Sequence, residues 1–290
     1  MKIAAIGEAM IELSAQGSTA QLGVAGDTLN TAVYLKRAAP KLEVDFITCL
    51  GTDVFSNRIK KFVADQSLGT GSIETTADRL PGLYAITTDE KGERSFSYWR
   101  NQSAARMLFQ SGKAKPFQCL EKYDAVYLSG ITLAILPFSV GSALLDYFKN
   151  SRHVVAFDSN YRPRLWSNKS TAQDLIGKFW QRADLALPSL EDEMQLMEED
   201  TGEVIQRFIR SGKQGALKRG ATGPISLGCL VEQDYSPASH VLDTTAAGDS
   251  FNGAYLGAIF SGASQADALR QGHDCARHVV QCHGAIVPTE

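Results

Sequence analysis

Nearly continuous apolar runs alternate along the chain with stretches whose apolar residues recur at helical spacing. KIAAIG precedes TLNTAVYLKRAA, VDFITCLG precedes SNRIKKFVADQ, DAVYLSG precedes VGSALLDYFKN, and HVVAFDSN lies further on. Strands without polar alternation are buried on both faces, and helices of about 10 to 15 residues between them predict a parallel sheet covered on both sides. The core is therefore expected to be an α/β sandwich. Two stretches break this rhythm, at about residues 10–22 and 80–100, where polar and apolar positions alternate and predict strands with one open face. Within the second, Asp-Glu-Lys-Gly-Glu at 89–93 predicts a hairpin turn. A small sheet inserted in this way is expected to act as a lid or a subunit contact.

No Pro-rich or Ser-rich linker, internal repeat or low-complexity segment divides the 290 residues, so residues 1–290 are expected to form a single domain. With 29 Lys+Arg against 32 Asp+Glu, the charge is nearly balanced and a general nucleic-acid surface is excluded. Glu8 and Glu12 interrupt the first apolar run too early for a signal peptide, and no later run reaches transmembrane length. A cytoplasmic protein without membrane association is expected. The 5 cysteines are odd in number, scattered and without a C-x-x-C pair, which points to reduced packing residues rather than disulfides or a zinc site.

The stretch VLDTTAAGDSFNGAY carries the most chemistry. Strand-like HVLDT runs into a small-residue turn, and DSFNGAYLGAIFSG follows with helical spacing, so Asp249 is expected at or next to a helix N-terminus. The first amides of a helix lack intrahelical acceptors and carry partial positive charge, which suits a phosphate. Asp249 beside them reads either as a helix cap or as a reactive carboxylate. A Walker A loop is absent, because none of the Gly-Lys pairs at 112/113, 177/178 and 212/213 precedes Ser or Thr.

DTTAAGDSF resembles the D-T-x-G-A-G-D signature of the ribokinase-like (PfkB) carbohydrate kinases. The resemblance implies a three-layer α/β/α sandwich with a small inserted β-sheet lid. It implies Asp249 as catalytic base, the amides of Ala246, Ala247 and Gly248 as an anion hole, and ATP and Mg2+ as cofactors. Ala246 stands where the family usually has glycine, which puts in question any glycine-only backbone angle there.

Further stretches extend the resemblance over nearly the whole chain. GEAMIEL and AGDTLNTAVYL resemble the family's sugar-binding region, which places Gly26, Asp27 and Asn30 on substrate hydroxyls; Asp27 is also placed to cap the helix from Thr28. LKRGATG resembles the nucleotide-binding K-x-G-x-x-G, which implies Lys218, Gly220 and Gly223 for ATP, although alone such a glycine pair reads as a turn. In FDSNYRPRLW, Asp158, Asn160 and Arg162 fall at period two near a strand's carboxyl end, where open α/β sheets bind ligands. The resemblance assigns Asn160 and Arg162 to the site; a surface ion pair is the other reading of Arg162. In LPSLEDEM, Ser189 and Asp192 occupy the positions of the family's Asn-x-x-Glu, which organises magnesium, with Glu191 and Glu193 as neighbours; a solvated acidic helix start is the alternative. A monovalent cation near Asp243 and Thr245 is a further implication.

Period-two alternation in RSFSYWRN predicts Phe96, Tyr98 and Arg100 on one strand face, with Ser95, Ser97 and Trp99 on the other. An arginine beside an aromatic suits an anionic sugar, since guanidinium holds a carboxylate through paired hydrogen bonds. GLYAITTDEKGERSFSYWRN, SNYRPRLW and DTTAAGDSF together resemble the 2-keto-3-deoxygluconate kinase branch of the family. That resemblance implies ATP-dependent phosphorylation of the sugar acid at its 6-hydroxyl, with Arg100 and Arg162 near the carboxylate and Tyr84 and Tyr98 flanking it. Lid packing or a dimer contact is the other reading of the tyrosines, and a homo-oligomer through the lid is implied. A fructokinase or other neutral-sugar kinase, and a non-catalytic binding regulator, are the competing readings. His273, His278 and His283 are spaced by five, which argues against a metal cluster and leaves them as surface or adenine-proximal residues.

Overall fold

The apolar runs become strands because alternate side chains of each find a hydrophobic layer on opposite sides. In the first strand Ile3 and Ala5 join one buried cluster while Ala4 and Ile6 join the other. The computed structural model describes residues 1–16, 19–88, 94–112 and 114–288. In chain order its strands and helices are β1 (Lys2–Ile6), β2 (Met10–Gln16), β3 (Thr19–Ala25), α1 (Asp27–Ala38), β4 (Glu43–Ile47), β5 (Cys49–Leu50), α2 (Val54–Asp65) and β6 (Glu74–Thr75). Then come β7 (Gly82–Thr88), β8 (Arg94–Trp99), β9 (Ala125–Ser129), α3 (Gly130–Ile135), α4 (Phe138–Lys149), β10 (Val154–Asp158) and α5 (Lys169–Arg182). The chain continues through β11 (Leu185–Ala186), α6 (Leu190–Met197), α7 (Thr201–Arg210), β12 (Gln214–Leu217), β13 (Ile225–Leu227), α8 (Ala247–Phe260) and α9 (Gln265–Val279).

The main sheet has seven strands in the order β13-β12-β11-β10-β9-β1-β4. All its pairings are parallel except β12 with β13. One face packs on α4 and α5 through Leu144, Phe148, Leu175 and Phe179. The other packs on α1, α2, α8 and α9 through Leu29, Val33, Ile59, Tyr255, Leu256 and Leu269. This is the ribokinase-like three-layer sandwich. A second sheet, β3-β2-β7-β8, is the lid, and one register row across it runs Gly23, Glu12, Tyr84, Tyr98. The turn expected at 89–93 lies outside the described residues.

Three local expectations are corrected. VDFITCLG is not one strand: the main sheet ends at Ile47, and Cys49–Leu50 crosses to pair with Glu74–Thr75 in a separate two-stranded sheet. HVLDT is not a strand at all. The amides of Leu242 and Asp243 donate to the Val280 carbonyl at 2.8 and 3.2 Å, which ties the segment to the end of α9, and Val241 and Leu242 stay exposed with no sheet to pack on. Cys229 is exposed, so packing does not account for it. No helix among the described residues is long and apolar enough to cross a membrane.

Candidate active site

Parallel strands end on the same side of the sheet, and the chain there supplies side chains to a cleft of roughly 860 Å³. Glu8 follows β1, Asp158 closes β10, Ser189 follows β11 and Lys218 follows β12, and all four line it. The lid contributes the opposite wall through Tyr84, Phe96, Tyr98 and, just beyond β8, Arg100. The expected shared face of Phe96, Tyr98 and Arg100 is therefore present.

Helix α8 enters the cleft with Ala246 as its N-cap and no side-chain cap, unlike α2, α5, α7 and α9, which are capped by Asp53, Asn168, Asp200 and Ser264. Ala246 adopts φ 61°, ψ 15°, the left-handed region that favours glycine. The backbone angle is thus retained without the glycine. The Ala247 amide is engaged, donating to the Thr244 carbonyl at 3.2 Å, so the expected three-amide cradle is reduced to the amides of Ala246 and Gly248. Asp249 sits in the first turn and does not cap. Its carboxylate instead accepts from Asn30 Nδ2 at 2.9 Å.

Asp27 does not cap either: Gly26 is the N-cap of α1, and Asp27 occupies its first turn. Its carboxylate accepts from Ser129 Oγ and, at 3.1 Å, from Asn160 Nδ2. A Cβ on Gly26 would lie 2.1 Å from the Glu8 carbonyl oxygen, so glycine is needed for that close approach. The Lys218 ammonium sits on Asp158, Asp249 feels the charges of Asp27, Asp158 and Lys218, and burial disfavours the charged forms of Asp27 and Asp249. Burial first, then repulsion from Asp27, pushes Asp249 up to about 8, with the Asn30 hydrogen bond acting against the rise. Burial likewise raises Asp27.

On the far side, Lys218 Nζ donates to Asp158 Oδ2 at 2.6 Å and to Asn252 Oδ1 at 3.0 Å. β10 ends at Asp158 and Asn160 has φ 33°, so Asp158, Asn160 and Arg162 converge on the cleft through a turn and not through the expected strand alternation. Arg162 pairs with Asp192 at 3.1 Å, which joins a residue expected at the ligand to one expected at magnesium. Burial raises the Asp192 carboxyl while Arg162 opposes the shift. Ser189 also lines the cleft, but Glu193 points away, buried against Trp180 and Arg207. Gly220, with φ 59°, lines the cleft; Gly223 does not, and its φ of 78° serves contact with Tyr235, which a Cβ would meet at 2.4 Å.

On the lid, the Tyr84 hydroxyl donates to the Glu12 carboxylate, and its ring stacks on Tyr98 at 5.7 Å. Arg100 is not a lone cation: its guanidinium is ion-paired with buried Glu8 and lies 6.0 Å from the Tyr98 ring centre. Asp243, expected near a monovalent cation, is buried and accepts from the amides of Thr245 at 3.0 Å and Gly284 at 2.9 Å.

A model of the "pfkB family carbohydrate kinase" family matches residues 1–290. The chain belongs to the pfkB family of carbohydrate kinases. It is 40% identical to the 2-dehydro-3-deoxygluconokinase of Escherichia coli strain K12, over 100% of this chain and 98% of that protein. Identity to the enzyme of the same name from Dickeya dadantii is 41%, over 99% of this chain and 97% of that protein. The crystal structure of a fructokinase with bound ATP from Xylella fastidiosa superposes with a TM-score of 0.79 over 98% of this chain and 93% of that one; at 22% identity it shows a shared fold.

For a pfkB carbohydrate kinase, the residues that sequence reasoning passed over are informative. Glu8 served only to exclude a signal peptide, yet it lies 1% exposed at the cleft. Asn252 is fully buried in α8 and donates to Asp158 Oδ2 at 2.7 Å and to the Tyr127 hydroxyl at 3.1 Å. Its signal was a polar residue among the apolar residues that follow the first turn of the helix. His273 lines the cleft while its Nε2 donates to the Ser236 carbonyl at 2.8 Å, and no group of three or more His, Cys, Asp or Glu among the described residues could hold a metal ion.

Proposed function

We propose that residues 1–290 act as one kinase unit that transfers the γ-phosphoryl group of ATP to the 6-hydroxyl of 2-keto-3-deoxygluconate, giving the 6-phosphate. The reading rests on the 37–41% identity to enzymes named 2-dehydro-3-deoxygluconokinase over essentially the full chain. The observation that carries the chemistry is the buried Asp249 carboxyl between lid and helix terminus, beside amides that no side chain caps. Asp249 takes the proton of the attacking hydroxyl, and Asn30 holds the carboxylate toward it. The amides of Ala246 and Gly248 stabilise charge that develops on the phosphoryl oxygens, with Lys218 as the neighbouring cation. Gly26, Asp27 and Asn30 bind sugar hydroxyls, while Asn160, Arg162 and Gly220 flank the nucleotide.

Arg100 and Tyr98 face the sugar carboxylate, and Tyr84 supports Tyr98 by stacking. Magnesium fits the donor set on the opposite wall, because that ion takes few protein ligands and keeps its water. When bound it would neutralise phosphate charge, with Asp192 and Ser189 holding its water shell. A monovalent cation would act near Asp243 and Thr245. The exposed Trp99 on the edge strand of the lid supports a homo-oligomer formed through that sheet.

The test is ADP release with ATP, magnesium and a panel of 2-keto-3-deoxygluconate, fructose, ribose and gluconate. Turnover is expected on the keto-deoxy acid, and Asp249→Asn is expected to lower kcat by roughly 10²-fold or more while ATP still binds. Near-normal turnover of that variant removes Asp249 from the role; preference for fructose or ribose discards the substrate.

A further inference from the structure

Glu8 and Arg100 form the most deeply buried ion pair at the cleft, with side chains 1% and 8% exposed. A charge withdrawn from water is tolerated only when paired, and removing one partner leaves the other uncompensated. Here the pairing is incomplete. Arg100 Nη2 donates to Glu8 Oε2, but Arg100 Nε and Glu8 Oε1 have no hydrogen-bond partner among the described residues. The guanidinium lies on the cleft wall, beside Tyr98. The pair is also held from behind. A Cβ on Gly82 would sit 2.9 Å from Glu8 Oε1 and 3.2 Å from Arg100 Cβ, and the Glu8 carbonyl rests against Gly26.

We propose that Glu8 is a positioning residue of the sugar pocket: it aims the Arg100 guanidinium into the cleft and, by cancelling its charge, sets how strongly the pocket holds an anionic sugar. The inference rests on the sugar-acid reading above. With Glu8 in place the guanidinium bridges two carboxylates, Glu8 beneath and the substrate above. The substrate then gains hydrogen bonds but only part of the Coulombic attraction that an unpaired buried cation would exert. Glu8 thus trades affinity for orientation.

The experiment compares KM and kcat for 2-keto-3-deoxygluconate and for its uncharged methyl ester in the wild-type protein, Glu8→Gln and Glu8→Asp. Glu8→Gln removes the carboxylate paired with the buried cation, so KM for the acid is expected to fall about threefold or more relative to the ester. Glu8→Asp keeps the charge but withdraws the carboxylate by one methylene. It is expected to raise KM for the acid with kcat little changed. Parallel shifts for acid and ester in Glu8→Gln, or a rise for the acid, overturn the charge-cancelling role. Wild-type behaviour of Glu8→Asp overturns the positioning role, and this arm decides if Glu8→Gln does not fold by circular dichroism. Failure of the wild-type protein to prefer the acid over the ester is a different result, which sinks the sugar-acid reading itself.

Discussion

Asp249 holds its proton to about pH 8 because it is buried near Asp27 and Asp158, whose negative charges its own ionisation would oppose. Two consequences follow from that raised value. As the proposed base, it must be ionised, so kcat/KM is expected to rise with pH through about 8. For stability the sign is opposite. The unfolded carboxyl ionises near 3.8, so between about pH 4 and 8 the native state keeps a proton that the unfolded chain has released, and stability falls as pH rises through that window. Thermal denaturation of the ligand-free protein should show Asp249→Asn converging with the wild type near pH 4 and exceeding it at pH 8.5; parallel curves would refute the raised proton affinity. Three residues earlier, Ala246 is in the left-handed region at φ 61°. A β-carbon there costs on the order of 1 kcal/mol, so Ala246→Gly should stabilise by about that amount and raise Tm by about 2 °C. An unchanged or lower Tm would mean that the alanine is unstrained.

At the scale of elements, the Asn30–Asp249 hydrogen bond depends on how closely α1 and α8 pack. A Cβ on Gly253 would lie 2.5 Å from the Thr31 carbonyl oxygen and 2.7 Å from the Leu35 amide nitrogen, so the helices touch backbone to backbone one turn beyond Asp249. Gly253→Ala should therefore destabilise by about 1–3 kcal/mol and lower kcat more than KM for ATP, measured by denaturation and steady-state kinetics. Unaltered kcat in the folded variant would show that helix spacing does not govern the base. The helices themselves were legible in the sequence, and so was the lid face carrying Phe96, Tyr98 and Arg100, because period-two and helical patterns are local. The pairing of α1 with α8 was not, since Ser250 through Ala258 are all buried and give α8 no preferred face. Ion pairs were illegible for a related reason: Arg100 meets Glu8 across 92 positions and Arg162 meets Asp192 across 30. HVLDT misled because the apolar pair Val241 and Leu242 has no neighbouring strand to use it.

For the whole molecule, the proposed sugar site lies between two bodies of different character, a sandwich with buried clusters on both faces of its sheet and a lid whose edge strand is open. Strand β8 presents Tyr98 at 51% and Trp99 at 62% exposure, on opposite faces by strand alternation. Tyr98 faces the cleft, where substrate would cover it, but Trp99 has no such use. A large aromatic left exposed on an edge strand invites pairing with another sheet. Covering it with the lid of a second copy would bury the aromatic and also stiffen the wall that carries Arg100. On this argument light scattering coupled to gel filtration should give a multiple of the 31.4 kDa chain mass. Trp99→Asp should shift the protein toward the monomer, and KM for the sugar should rise while KM for ATP changes little, because only the lid wall loses its support. A wild-type mass of one chain at micromolar concentration would remove the lid as an assembly surface, and a monomeric Trp99→Asp with unaltered sugar KM would separate assembly from the site.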